Sequence, residues 1–206
     1  MKFFYAPGTC SIGIHVLLEE IGKPYEAVRL DIRSGDTQKP PFIEINPKGK
    51  VPTIQRDDGM VITEYPVVAH YLAKTNPEAN LLPKSEQAEL QAAMAMDYCV
   101  ATIHMQGFSR LFRPANFAPN EADHDAVKAR GRELIEKGYA LLDKSLAGKD
   151  WIAGDYSMSD SALFYVEYWG AKRMNIQLPP NLAKHLERML ARPATKRMLE
   201  QEGLPA

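Results

Sequence analysis

The sequence predicts a chain in two parts, an α/β N-terminal region followed by an all-helical C-terminal region. Over residues 2–75, β-prone runs alternate with helical patterns, whereas from residue 85 onward apolar residues recur only at helical spacing. The stretch 76–84, which contains two prolines, separates the two patterns and is the predicted linker. With 206 residues the chain can form one large domain or two small ones.

The N-terminal region begins with the pattern strand, helix, strand. The β-prone run KFFY at 2–5 stops at Ala6-Pro7-Gly8, and apolar residues then recur at helical spacing over 12–21. The run YEAVRLDI at 25–32 is the second predicted strand. Such a βαβ unit implies two parallel strands joined by a right-handed crossover.

A hairpin and a helix complete this region. The runs KVPTIQ at 50–55 and GMVITE at 59–64 are predicted strands, and the Asp-Gly pair between them is a strong hairpin signal. The run PVVAHYLAKT at 66–75 is the predicted closing helix.

The C-terminal region contains four predicted helical segments. Ser157 and Asp160 form a capping-box pattern at the start of the third segment. The segments are 85–112, 124–146, 158–174 and 181–193.

Composition excludes several classes of function. A net charge of −1 and a pI near 6.5 provide no basic face for nucleic acid or an anionic membrane surface. No stretch has the roughly 20 apolar residues of a membrane-spanning helix, and the N-terminus lacks a secretory signal pattern, so we expect a cytoplasmic protein. Cys10 and Cys99 are then expected to be free thiols, and the histidines show no metal-ligand spacing with them.

Cys10 is the first candidate for chemistry. It lies between the first strand and the following helix, where unpaired N–H groups and the helix dipole favour thiolate over thiol. The run Cys10-Ser11-Ile12-Gly13 occupies the place of a C-x-x-C redox pair but lacks the second thiol, so a reaction through Cys10 needs an external one. The structural alternative is that Cys10 is a buried apolar residue.

Three further positions are candidates of lower specificity. Pro52 belongs at the first residue of a strand or on an edge, and its bond with Val51 is either cis or, on base rates, trans. The residues around Glu64 precede a helix with proline in its first turn, which suits either an anion site or a plain N-cap. Asp97 and His104 lie on one helix face, where an exposed or satisfied side chain is the structural alternative.

Taken together, these segments resemble the cytosolic glutathione transferases, most closely the bacterial beta class. The resemblance extends over the whole chain and implies a thioredoxin-like domain at 1–77, an α-helical domain at 84–206 with a hydrophobic co-substrate site, and a homodimer. It is carried by the runs FYAPGTCSIGIHVLLEEIGKPYE, INPKGKVPTI, ITEYPVVAHYLA, HMQGFSRLF, SMSDSALF and RPATKRMLEQEGL.

The resemblance also implies site residues, with glutathione as co-substrate and no metal. Cys10 matches the cysteine that faces the glutathione sulfur, and His104 matches a hydrogen-bond donor to that sulfur. Val51, before a cis-proline matched by Pro52, pairs its backbone with the cysteinyl unit. The remaining implied contacts are Tyr5 and Ala101, Thr102 and Ile103 near the sulfur, Glu64 and Tyr65 at the γ-glutamyl end, and Asp97 from the other subunit.

The chain departs from the family pattern at three places in this site, one of them at Met105 and Gln106, which stand where a basic residue often follows the histidine. Tyr65 stands where the family usually has Ser or Gly, so a hydroxyl contact to the γ-glutamyl carboxylate is displaced or lost. The lysine that the family often places near Gly35 has no clear match, and Arg33 or Lys39 is the candidate substitute.

Three functions follow as hypotheses. The leading one is a detoxifying transferase that conjugates the glutathione thiol to small hydrophobic electrophiles. The second is glutathione-dependent disulfide reduction or peroxide removal through Cys10. The third, motivated by Tyr65 and the absent lysine, is a glutathione-transferase-like module that binds a protein partner without turnover.

Overall fold

The computed structural model describes all residues from Met1 to Ala206 and divides into two compact units. The first unit comprises Met1–Leu82 together with Arg188–Ala206, and the second comprises Pro83–Glu187. The predicted helical domain, 84–206, includes the final segment, which by its contacts instead groups with the N-terminal residues.

A four-stranded sheet forms the centre of the first unit, in the order β2-β1-β3-β4. β1 and β2 pair in parallel, with Phe3 opposite Ala27, and β3 is antiparallel to both β1 and β4. The predicted βαβ unit and hairpin are therefore both present. The strands are β1 Lys2–Tyr5, β2 Glu26–Arg29, β3 Thr53–Gln55 and β4 Val61–Ile62.

The helices account for most of the rest of the chain. They are α1 Ser11–Ile21, α2 Phe42–Ile45, α3 Tyr65–Thr75, α4 Glu86–Asp97, α5 Ser109–Phe112, α6 His124–Ser145, α7 Met158–Tyr168, α8 Pro180–Ala191 and α9 Pro193–Glu202. Two π-helical segments, Tyr98–Phe108 and Trp169–Arg173, follow α4 and α7.

α1 is the central helix of the first unit. Its residues from Ser11 to Leu18 are all buried, because α1 contacts both α3 and α9. It ends at Gly22, whose φ of +69° is a left-handed conformation that favours glycine. Apolar side chains from these elements form a dry core, among them Phe3, Ile12, Ile14, Leu17, Ile54 and Leu72.

α7 has the same role in the second unit, since every one of its residues is buried. The predicted capping box is present, with the Ser157 side chain accepting from the backbone and Asp160 accepting from the Ser157 N–H at 2.8 Å. α4, the π-helical segment and α5 follow one another without a break from Glu86 to Phe112, as the sequence predicts for 85–112. No helix is both long enough and apolar enough to cross a membrane.

Candidate functional site

The loop that carries Cys10 is held by hydrogen bonds of its neighbours. Thr9 Oγ1 accepts from the Ser11 N–H at 3.4 Å and donates to the Ala6 carbonyl at 2.8 Å, and Ser11 Oγ donates to the same carbonyl at 3.2 Å. Cys10 occupies the N-cap position of α1, but its side chain makes no capping bond. Because Thr9 does the capping, the Cys10 sulfur is left to contact another segment.

A buried carboxylate in α9 fixes the same loop. Glu202 Oε2 accepts from the Gly8 N–H at 2.9 Å, and Glu202 Oε1 lies 2.7 Å from His15 Nδ1 in α1. Gln201 Oε1 lies 2.7 Å from the other ring nitrogen of His15. The buried side chains of Glu202 and His15 therefore join the end of α9 to α1 and to the loop before it.

The Cys10 sulfur contacts the segment that precedes β3. Cys10 Sγ donates to the Val51 carbonyl at 3.5 Å, and the Val51–Pro52 bond is cis. Asn46, which is buried, positions this segment by donating to the Lys50 carbonyl and to Thr53 Oγ1, each at 2.9 Å. Two of the predicted residues, Cys10 and Val51, are thus brought together.

Burial has a larger effect on Cys10 than the helix N-terminus does. Desolvation raises the pKa of the Cys10 thiol to about 12, although hydrogen bonds from the Cys10 and Ser11 backbone and the positive charge of Lys50 act in the opposite direction. At Cys10 the predicted preference for thiolate is therefore outweighed by desolvation. With this pKa, Cys10 is a protonated thiol at neutral pH, and its S–H is the donor to the Val51 carbonyl.

Glu64 and Tyr65 lie at the start of α3. Glu64 has a φ of +66° and an exposed carboxylate, while the Tyr65 side chain is buried, with 5% of its surface exposed. Lys48 Nζ donates to Glu64 Oε1 at 2.6 Å and to Thr63 Oγ1 at 2.9 Å. The carboxylate assigned to the γ-glutamyl end is therefore already paired with a lysine.

Two lysines near this site were not among the predicted residues. Lys48 pairs with Glu64, and Lys50 acts electrostatically on Cys10. The sequence feature that could have indicated both lysines is their position on either side of Gly49, directly before Val51. Lys39, a predicted substitute for the family lysine, instead donates to the Ser34 carbonyl within its own loop.

Tyr5 lies at the end of β1 and is largely buried. Its ring centroid is 5.1 Å from that of His15, and burial raises the pKa of its hydroxyl. The proposed contact of Tyr5 with glutathione stays a prediction.

The other predicted residues belong to the second unit. Asp97 and Thr102 line an open cavity of about 420 Å³ on this unit together with Met94 and Tyr98, and Ala101 is exposed. The Ile103 side chain is fully buried, and a Cβ added at Gly138 of α6 would lie 2.7 Å from it. Ile103 therefore packs in the helix interface rather than on a binding surface.

His104 lies among aromatic side chains. Its ring centroid is 4.8 Å from that of Trp169 at an interplanar angle of 90°, and its Nδ1 lies 3.4 Å from the Tyr165 hydroxyl. Phe108 and Phe112 continue this aromatic cluster against Trp169. The role of His104 as a hydrogen-bond donor to the glutathione sulfur stays a prediction.

Comparison with known proteins identifies the family. The profile of the glutathione S-transferase N-terminal domain matches residues 8–75. The glutathione S-transferase GstA of Escherichia coli O157:H7 is 32% identical over 99% of this chain and 100% of its own length. The chain belongs to the glutathione S-transferase family. The predicted family, fold class and enzyme class are confirmed.

Solved glutathione S-transferases share the whole architecture. A sphingomonad glutathione S-transferase complexed with glutathione is 31% identical, with a TM-score of 0.86 over 100% of both chains. The beta-class glutathione S-transferase of Sphingomonas chungbukensis is 29% identical, with a TM-score of 0.84 over 100% of both chains. The glutathione transferase fold therefore extends over both units of this chain.

Proposed function

We propose that this glutathione S-transferase conjugates the thiol of glutathione to small apolar electrophiles, with Cys10 beside the glutathione sulfur. The contact between Cys10 Sγ and the Val51 carbonyl carries the proposal. The resemblance assigns Val51 to the cysteinyl backbone of glutathione, so a tripeptide bound there has its sulfur next to Cys10. Solved relatives in complex with glutathione, such as the sphingomonad enzyme, support this ligand.

In this function Cys10 acts as a hydrogen-bond donor rather than as the nucleophile. A thiol with a pKa of about 12 keeps its proton and, when its S–H turns away from the Val51 carbonyl, donates a hydrogen bond to the glutathione thiolate. The positive end of α1 and the charge of Lys50 stabilise the same thiolate, which lowers the pKa of the bound glutathione thiol. The glutathione sulfur then forms a bond to the electrophilic carbon, and the leaving group departs with its electron pair.

The second unit supports an apolar co-substrate. His104, which the resemblance implies as a donor to the glutathione sulfur, belongs to an aromatic cluster of this unit. In the same cluster, the partly exposed ring of Phe112 packs on the buried rings of Phe108 and Trp169 and presents an aromatic surface. Such a surface suits planar apolar electrophiles.

Conjugation of glutathione with a chlorinated nitroaromatic tests the function. We expect wild-type protein to turn over this substrate, and Cys10→Ala to retain part of that activity because the helix terminus and Lys50 remain. Cys10→Ala should form no mixed disulfide with oxidised glutathione, as measured by intact mass. Complete loss of conjugation in Cys10→Ala, with glutathione binding retained, would contradict the donor role.

The raised pKa of Cys10 argues against the reductase and peroxidase hypothesis, because those reactions need a thiolate at this position. Comparing Cys10→Ser with wild type in conjugation and thiol-transfer assays separates the transferase function from thiol-disulfide chemistry through Cys10. Calorimetry that detects no glutathione binding at millimolar concentration would instead favour a protein-binding module and overturn both enzymatic functions.

We also propose that the protein is a homodimer and acts in the cytoplasm. Large apolar side chains stand more than half exposed on both units, and contact with a second copy would remove them from water. They are Met60 and Val67 on the first unit and Leu90 and Met94 on the second. A second copy of the chain that covers these side chains would also bring its Asp97 to the glutathione site, as the resemblance implies.

A further inference from the structure

Lys48 and Glu64 form an ion pair directly before α3. Lys48 Nζ lies 2.6 Å from Glu64 Oε1, and a second hydrogen bond of 2.9 Å joins it to Thr63 Oγ1. The two side chains are 56% and 61% exposed. A cation and an anion thus lie side by side where a ligand in solution can reach both.

Each partner retains bonding capacity. A lysine ammonium has three donors, and Lys48 uses two of them within the protein. A carboxylate has two acceptor oxygens, and the Lys48 bond occupies only Glu64 Oε1. The pair therefore offers one N–H donor and one carboxylate oxygen, Oε2, in adjacent positions.

The γ-glutamyl end of glutathione has the complementary arrangement. Its α-carbon bears an ammonium and a carboxylate, so a site built from Glu64 alone would attract the first group and repel the second. Tyr65 provides no short side-chain hydroxyl for that carboxylate, since its side chain is buried. A cation next to Glu64 removes the repulsion.

We propose that Lys48 determines specificity for the γ-glutamyl end: its ammonium binds the ligand α-carboxylate while Glu64 Oε2 binds the ligand α-ammonium. This inference rests on the proposed glutathione site. The pair then recognises an intact α-amino acid terminus, so γ-glutamyl thiols bind and thiols lacking either charged group bind more weakly. Lys48 can adjust its position on binding because an exposed ion pair constrains its partners only weakly.

Calorimetric titration with two ligands tests the proposal. The ligands are glutathione and 4-aminobutyryl-cysteinyl-glycine, which lacks only the α-carboxylate. We expect Lys48→Met to bind glutathione about tenfold more weakly than wild type, a typical loss for one charge-assisted hydrogen bond. Lys48→Met and wild type should bind the analogue equally, because the group that Lys48 contacts is gone.

Two further variants complete the design. Lys74→Met, in the last turn of α3, makes the same change in net charge at the other end of the helix and should bind both ligands as wild type does. Lys48→Arg keeps the cation and should retain most of the preference for glutathione. Thermal unfolding of each variant checks that the fold is intact.

Several outcomes would overturn the inference. Equal affinity of Lys48→Met and wild type for glutathione would show that Lys48 does not bind the α-carboxylate. Tighter binding of glutathione by Lys48→Met would show that Lys48 competes with the ligand for Glu64. An equal loss for both ligands would indicate a structural effect. Lys48→Arg behaving like Lys48→Met would rule out a charge-based role. Failure of the wild type to bind glutathione at all would instead overturn the proposed function.

Discussion

At the scale of single residues, Cys10 shows two physical effects in opposition. A helix N-terminus favours the thiolate, and the backbone N–H groups at Cys10 and Ser11 do lower the pKa of this thiol. Desolvation of the charged sulfur is the larger effect, and the resulting pKa is about 12. A thiol in such a position stays protonated, while a second thiol that ionises more readily can carry the negative charge. In the proposed function this second thiol is that of glutathione.

The rate of Cys10 alkylation should therefore depend steeply on pH. Relative to an ordinary cysteine with a pKa of 9.0, a value of about 12 lowers the thiolate fraction at pH 7.5 by about a thousandfold. We expect the rate of iodoacetamide modification, measured by mass spectrometry in a Cys99→Ala background, to keep rising above pH 9. A rate that levels off near pH 7 would show instead an activated thiolate.

Sequence reasoning located Cys10 and Glu64 but not the groups that tune them. Cys10 is recognisable because the turn before it and the helix after it are local signals. Its partial burial and the Lys48–Glu64 pair depend on how separate segments fold together, and no periodicity encodes a contact of that kind. The buried side chain of Tyr65 is another such case, since the sequence alone indicates only that a hydroxyl contact is displaced or lost there.

At the scale of elements, glycines permit close packing of α6 on the helix before it. A Cβ added at Gly131 would lie 2.8 Å from both the Gly107 carbonyl oxygen and Arg110 Cβ. A Cβ added at Gly107 would lie 2.6 Å from Ile135 Cγ1. The two helices therefore approach each other at glycine positions where no side chain fits.

Gly131→Ala should consequently destabilise the protein, although helix propensity alone favours alanine over glycine. Alanine in a helix interior is favoured over glycine by about 1 kcal/mol, whereas overpacking a close contact costs about 1–3 kcal/mol. The clash with the Gly107 backbone cannot be relieved by a side-chain rotation, so we expect a net loss of stability in urea unfolding. Lys137→Ala, an exposed change on the same helix, is the control and should have little effect. A more stable Gly131→Ala would disprove the tight contact.

Among the elements, those with local sequence signals were predicted correctly, whereas α9, whose position depends on distant contacts, was not predicted. The hairpin, the capping box at Ser157 and the long segment from Glu86 to Phe112 follow patterns within a few turns of chain. α9 was not predicted as a separate helix, and its place beside α1 depends on buried contacts such as that of Glu202 with His15. Residues 188–206 thus return to the first unit across more than 100 residues of chain.

At the scale of the whole molecule, the exposed apolar side chains predict self-association. Met94 is 65% exposed and lines two cavities of its unit. We expect sedimentation velocity to detect a dimer of the wild type and a weakened dimer of Met94→Glu, because a buried unpaired charge is costly. Ala126→Glu adds the same charge at an exposed position of α6 and should leave the dimer intact. A monomeric wild type would contradict the proposed homodimer.

A buried histidine makes the stability of the molecule depend on pH. His185 lies 2.8 Å from Glu167 Oε2 and 3.2 Å from Asp160 Oδ1, and all three side chains are fully buried. Although burial alone would lower it, the negative charge of Glu167 and the hydrogen bonds with both carboxylates raise the pKa of His185 to about 9. The folded chain therefore holds this proton more tightly than the unfolded chain does.

The free energy of unfolding should accordingly fall as pH rises from 6.5 toward 9. Below pH 6.5 both states bind the proton and the contribution is complete; between the two pKa values the unfolded state loses the proton first, so stability declines. We expect a decrease of about 2 kcal/mol between pH 6.5 and 8.5 in urea unfolding, and a smaller slope for His185→Gln. Measurements should stop at pH 8.5, because the raised pKa values of Cys10 and Cys99 add a slope of the same sign above it. Parallel curves of the free energy of unfolding against pH for the wild type and His185→Gln would show that Glu167 and Asp160 do not hold a proton on His185.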